Sequence, residues 1–217
     1  MTGRHGPRGM RRVRTVAPVL ALVALLAGCA SGQPEGQADV RVNGASGWAG
    51  TAVTAGYPLP DETFTDTSGA DVVPAEDAAD GVTLVFFGYS HCPDICNVVL
   101  ANLASALRGS PASVRDSTRV LFVTTDPARD TPTVVRGYLD RFDPAFDGLV
   151  APAGTVEQAA KQLHVSYERP DGSTGGYEVD HGTYTTGFVD GEATVVWSDT
   201  TAVADLRADL RRLARLA

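Results

Sequence analysis

The chain has 217 residues, long enough for one domain with a substantial hydrophobic core plus a leader segment. It carries 26 acidic against 18 basic side chains, a formal charge of −8. That balance argues against nucleic acid as a partner and against electrostatic attachment to an anionic lipid surface.

The N-terminus reads Arg11, Arg12 and Arg14, then an apolar stretch from Val16 to Ala27, then Leu26-Ala27-Gly28-Cys29. A basic region, a short apolar region and a small-residue cleavage site form a secretory signal, here residues 1–28. The apolar stretch is too short for a comfortable membrane span. Met10 would begin a more compact signal than Met1, and Arg11-Arg12 is a weak twin-arginine pattern. Leu-Ala-Gly-Cys resembles the lipobox of bacterial lipoproteins, which implies acylation of Cys29 and a membrane anchor on the extracytoplasmic face. Loss of residues 1–28, with five arginines and no acids, takes the formal charge from −8 to −13. The lipid, not charge, must then do the anchoring. Residues 29–55 are rich in Gly, Ala, Ser, Gln and Thr and read as a flexible tether, leaving 56–217 as the folded domain.

Within that domain Phe64 and Thr67 to Val73 suggest a short N-terminal hairpin turning at Ser68-Gly69. Val82 to Phe87 is a continuous apolar run, as expected of a central strand buried on both faces. The run Gly88-Tyr89-Ser90-His91-Cys92-Pro93-Asp94-Ile95-Cys96 follows directly. Pro is favoured at the first position of a helix, so Cys92 is expected to cap a helix that carries Cys96 one turn further on. Residues four apart share a helix face, so both sulfurs can converge. Two such thiols can close a disulfide or, as thiolates, grip a soft metal. With Cys29 lipidated they are the two cysteines of the mature domain.

Ile95, Val98, Val99, Leu103 and Leu107 give the helix an amphipathic period that Gly109-Ser110-Pro111 ends. Arg119 to Thr125 is a second buried strand, Asp126 to Pro132 a loop, and Thr133 to Phe142 and Thr155 to Leu163 two helices. Residues 168–180 are polar and Gly-rich and read as a long surface loop. Tyr184 to Val189 and Ala193 to Trp197 form a hairpin around Asp190-Gly191. A last helix places Val203, Leu206, Leu210 and Leu213 on one face and arginines on the other. Strands alternating with helices imply parallel crossovers, and the closing hairpin adds antiparallel strands. The fold class is therefore α/β, a central mixed sheet flanked by helices with an N-terminal β-hairpin. A dithiol at its first β–α junction suggests a thioredoxin-like architecture with the chemistry at the carboxyl edge of the strands.

Phe87 to Cys96 resembles the signature of Sco/SenC proteins, the thioredoxin-like copper-delivery proteins for cytochrome c oxidase. Val123 to Pro132 is similar to that family's second motif, and Val179-Asp180-His181-Gly182-Thr183 to its third, which carries a metal-binding histidine. The resemblance covers about Tyr57 to the C-terminus. It departs at Asn97, where the family usually has proline, and at Gly182, where serine is common; neither removes a ligand. It implies that Cys92, Cys96 and His181 hold one copper, as Cu(I) or Cu(II). It also implies that the dinuclear copper site of cytochrome c oxidase subunit II is the client, either as recipient of copper or as a pair of cysteines to be reduced. Soft thiolates favour Cu(I), imidazole accepts either state, and three donors leave an open position for handing metal on.

Asp94, between the cysteines, is expected to complement the helix dipole, and Asp126 and Asp130 to fix the loop beneath the site. His91 is read as structural or supporting, with its ring turned from the dithiol, and His164 as partly buried or capping a helix. The strongest competing function is a metal-independent thiol–disulfide oxidoreductase using the same two cysteines as its redox pair. A purely structural disulfide would close a tiny loop and constrain little. A zinc site needs a fourth ligand. A thiol peroxidase needs a cation fixed beside its thiolate, and none is evident beside Cys92. A copper sensor or buffer would share the delivery protein's ligands.

Overall fold

The structure, a computed structural model, describes residues 47–168 and 180–217, with backbone alone for Tyr167, Glu168, Asp180 and His181. Of the polar stretch 168–180, read as a surface loop, residues 169–179 lie outside the described residues, as do the leader and most of the tether; its ends, Glu168 and Asp180, pair with each other in an antiparallel ladder.

In chain order the elements are β1 (Thr51–Ala52), β2 (Phe64–Asp66), β3 (Asp71–Val72), α1 (Pro74–Asp77), β4 (Val82–Gly88), α2 (Ile95–Arg108), α3 (Ala112–Asp116) and β5 (Thr118–Thr124). There follow α4 (Pro132–Leu139), β6 (Asp147–Val150), α5 (Ala153–Gln162), β7 (Tyr167–Glu168), β8 (Asp180–His181), β9 (Thr185–Val189), β10 (Glu192–Trp197) and α6 (Val203–Leu213). Eight strands form one sheet in the order β1-β10-β9-β4-β5-β6-β2-β3, and β7 and β8 pair as a separate ladder.

The centre of the sheet is parallel. Every residue of β4 from Val82 to Gly88 pairs with its counterpart in β5 from Thr118 to Thr124, and β5 pairs in parallel with β6. β4 is buried along its whole length, which its unbroken apolar run requires. The steps from β4 to β5 to β6 go the same way across the sheet, so right-handed crossovers put α2 and α4 on one face. There Leu84, Phe86 and Phe122 pack with Leu100 and Leu103 of α2, Val135 and Tyr138 of α4, and Leu206 and Leu210 of α6. The alternate residues Val85, Phe87, Leu121 and Val123 face a second cluster with α5 and the N-terminal hairpin. The period of two along each strand thus splits one apolar run between two cores.

The two hairpins form where the turn residues indicate. β2 and β3 pair around Gly69 at φ +91°, and β9 and β10 around Asp190 and Gly191 at φ +46° and +80°. Positive φ at both central residues of a two-residue loop matches the right-handed twist of the strands.

Three sequence expectations change. Residues 47–55, assigned to the tether, lie against the domain: β1 pairs with β10 through Thr51↔Val196 and Ala52↔Val195. The buried carboxylate of Asp209 accepts hydrogen bonds from the Ala49 and Gly50 N–H groups and from Trp197 Nε1. A segment poor in large side chains is held here by backbone donors, which hydrophobic patterning does not register. Second, β6 stands where the sequence reading placed no element between two successive helices. A side chain at Gly148 would collide with Val135 of α4, so glycine lets the helix pack close on the strand. Third, α2 begins at Ile95 with Asp94 as its N-cap, not Cys92.

Candidate functional site

Gly88 ends β4, and the chain turns at once: the Cys92 N–H bonds to the Tyr89 carbonyl at 3.2 Å, closing a four-residue turn with Ser90 and His91 at its centre. Cys92 is therefore the last residue of a turn, and Asp94, whose carboxylate accepts the Ile95 N–H at 2.5 Å, takes the cap. Asp94 is exposed, and its charge stands at the positive end of the α2 dipole, as expected. Cys92 still serves the helix start, because its Sγ accepts the Cys96 N–H at 3.4 Å. That contact brings the two sulfurs together at the carboxyl edge of the parallel strands.

Both cysteines are thiols and both are buried, Cys96 completely. The Cys96 thiol is pushed well above its ordinary pKa, first because it gives its proton to the Cys92 sulfur, then because burial disfavours the thiolate. The Tyr89 N–H, donating to the Cys96 sulfur, pulls the other way. Space around Cys96 is tight: a Cβ at Gly88 would stand 3.0 Å from its Sγ and 2.9 Å from the Phe122 ring. Glycine at this strand end admits the sulfur.

The loop after β5 holds the turn from below. Asp130, fully buried, accepts the Ser90 N–H at 2.9 Å on Oδ2, the Ser90 hydroxyl on Oδ1, and the Thr124 hydroxyl at 2.6 Å on Oδ2. Asp126, also buried, pairs with Arg129 Nε and accepts the Arg129 and Asp130 N–H groups on its carbonyl at 3.1 and 2.9 Å. These are the loop-fixing positions that the sequence suggested. His91 is 52% exposed with Nδ1 2.9 Å from Ser90 Oγ and 3.7 Å from Asp130 Oδ1. His164 is exposed at the end of α5, its φ of +57° completing the helix terminus, so the capping reading stands and the buried one does not.

Two nearby residues carry no sequence signal for this role. Tyr138 of α4 lies at an amphipathic core position, yet its hydroxyl donates to Asn97 Oδ1 at 3.2 Å. Its pKa is raised by burial first and then by the charge of the Cys96 and Cys92 sulfurs. Asn97, the departure from the resembled motif, also reaches the Cys92 carbonyl with Nδ2 at 3.5 Å. Arg129 stacks 5.8 Å from the Tyr89 ring, but its charge is matched by Asp126.

His181 is brought into the ladder of β7 and β8, its backbone opposite Tyr167; its side chain lies outside the description. Among the described residues no group of three or more His, Cys, Asp or Glu is placed to hold a metal ion. The described donor set is two soft sulfurs. It suits a soft monovalent or borderline metal and leaves room for a further ligand.

Sheet, crossovers and dithiol define a thioredoxin-like protein with its cysteine pair at the β4–α2 junction. The SCO1/SenC family model matches residues 60–215, and the chain belongs to that family. Apo Sco1 from Thermus thermophilus superimposes with a TM-score of 0.70 at 30% identity, over 79% of this chain and 99% of that one. Bradyrhizobium japonicum ScoI, solved with copper bound, gives 0.62 at 28% identity, over 73% of this chain and 98% of that one. Mitochondrial Sco1 of Saccharomyces cerevisiae is 37% identical over 101 residues, 46% of this chain and 34% of its own length. The match thus spans about a third of that protein. BsSco, described as a member of the Sco family of cytochrome c oxidase assembly proteins, shares the fold with a TM-score of 0.57 at 18% identity, over 75% of this chain and 96% of that one.

Proposed function

We propose that the protein is a copper chaperone of cytochrome c oxidase assembly, in which Cys92, Cys96 and His181 hold one copper. Its client is the dinuclear copper site of subunit II, which receives the metal or has its cysteines reduced. The observation that carries this reading is the pair of buried thiols in mutual hydrogen-bond contact at the carboxyl edge of the sheet, in a chain of a family whose members bind copper. Two sulfurs supply the soft part of a Cu(I) site, and His181 supplies the borderline donor that Cu(II) also accepts. We further propose that residues 1–28 are removed as a signal and that a lipid on Cys29 anchors the protein on the extracytoplasmic face of the membrane. Among the described residues no helix is long and apolar enough to cross it.

The test is anaerobic copper titration of the reduced protein beside His181→Ala, Cys92→Ala and Cys96→Ala. One copper per chain, with the Cu(II)–thiolate absorption altered in the histidine variant and lost in the cysteine variants, is the expected result. The thiol contact also favours a second reading, a metal-independent thiol–disulfide oxidoreductase, because a disulfide closes there with little movement. Copper binding that is weak, or indifferent to all three substitutions, selects that reading.

A further inference from the structure

We propose that His91 is an outer docking ligand, the imidazole through which copper passes on its way to and from the Cys92–Cys96 pair. The inference rests on the reading that those cysteines hold copper.

The argument is one of proton placement. Asp130 is fully buried and, as a carboxylate, can only accept. It takes the single proton of the Ser90 hydroxyl on Oδ1, while its Oδ2 takes the Ser90 N–H at 2.9 Å and the Thr124 hydroxyl at 2.6 Å. Ser90 Oγ therefore has no proton left for His91, and the 2.9 Å contact with His91 Nδ1 must run from the ring to the hydroxyl. The neutral imidazole is fixed with its proton on Nδ1 and the lone pair on Nε2. Nδ1 is tied inward to Ser90 and Asp130, so Nε2 lies on the outward side of a ring that is 52% exposed.

A carboxylate that orients an imidazole from behind, directly or through a hydroxyl, is how proteins prepare a histidine to bind metal with its other nitrogen. Here the residue that carries the prepared nitrogen directly precedes Cys92 in the chain, at the centre of the turn that Cys92 closes. The thiols themselves are buried and the imidazole is half-exposed, so of these donors the imidazole is the more accessible to an incoming metal. In the transfer, Cu(I) keeps its oxidation state. It exchanges a nitrogen of a carrier for His91 Nε2, then Nε2 for the two sulfurs, and each thiol releases its proton to water as its Cu–S bond forms.

Two measurements on the purified, reduced protein decide the point. Long-range proton–nitrogen correlation at mildly alkaline pH should show the His91 proton on Nδ1, and Ser90→Ala should abolish that fixed tautomer. Anaerobic transfer from the coloured Cu(I)–bicinchoninate complex, followed by stopped flow, should slow about tenfold in His91→Gln and in His91→Ala. The final stoichiometry and the melting temperature should not change, which separates docking from a merely structural role. A proton on Nε2, or transfer as fast in both variants as in the unmodified protein, overturns the inference and leaves the copper reading standing. If the unmodified protein takes no copper, both fall together.

Discussion

The two cysteines are four residues apart and chemically unlike. Cys96 is fully enclosed, donates its proton to Cys92 and has its pKa raised by that bond and by burial. Cys92 receives both the Cys96 thiol proton and the Cys96 N–H. Limited alkylation of the reduced, metal-free protein should therefore modify Cys92 first, with Cys96 reacting only after denaturation; peptide mass mapping reads this directly, and equal labelling refutes it. The same asymmetry sets a pH dependence. An unfolded cysteine ionises near pH 8.5, whereas folded Cys96 stays protonated well above that. Below pH ~8.5 both states hold the proton and Cys96 imposes no slope; above it the unfolded state loses a proton that the folded state keeps, so stability falls as pH rises. The expected slope is about 1.4 kcal/mol per pH unit or less. Urea midpoints of the metal-free protein at rising alkaline pH should fall, and Cys96→Ala should flatten the fall; an unchanged slope in the variant removes Cys96 as the cause.

Among the elements, the functional geometry is made by two β–α junctions acting on each other. The β4–α2 junction supplies the sulfurs, and the β5–α4 junction supplies the buried carboxylate that grips the turn before them. Asp130→Asn keeps one acceptor oxygen and turns a donor toward donors already there. It should cost about 2–3 kcal/mol, measured by urea denaturation. Ser90→Ala should cost about 1 kcal/mol, and the pair should be non-additive by more than about 0.5 kcal/mol, since the residues share bonds. Strict additivity would show that the clamp is not a unit. This layer was only partly legible in the sequence. The dithiol, the strand before it and the helix after it stood out because apolar runs and Pro-Cys spacing are local signals. The exact cap was not, since Asp94 and Cys92 both compete for the helix start and only the Tyr89–Cys92 turn decides between them. The Tyr138–Asn97 bond was invisible for a different reason: it joins residues 41 apart, and each already had an adequate local explanation.

On the scale of the whole molecule, the boundary between tether and domain is set by a buried charge. Composition places the start of order near residue 56, because 47–55 offer few large apolar groups. The structure instead ties Ala49 and Gly50 to Asp209, a carboxylate buried on the otherwise apolar face of α6, and stacks Arg212 over Trp48 at 4.1 Å. β1 then covers the outer edge of β10, which would otherwise offer open backbone groups for pairing with another chain. A chain beginning at residue 47 keeps all of this; one beginning at 56 leaves the carboxylate with Trp197 Nε1 as its only partner named above and exposes the β10 edge. Lost hydrogen bonds to a charged group cost ~2–3 kcal/mol, which for a domain of this size lowers the melting temperature by about 5–10 °C. The longer version should melt with the unmodified protein and remain monomeric, and the shorter should melt lower and associate as its concentration rises. Equal melting temperatures for the two would mean that the segment merely lies on the sheet and that the domain begins where composition places it. A lower melting temperature for the shorter form alone would make Asp209 the residue that fixes where the folded domain begins.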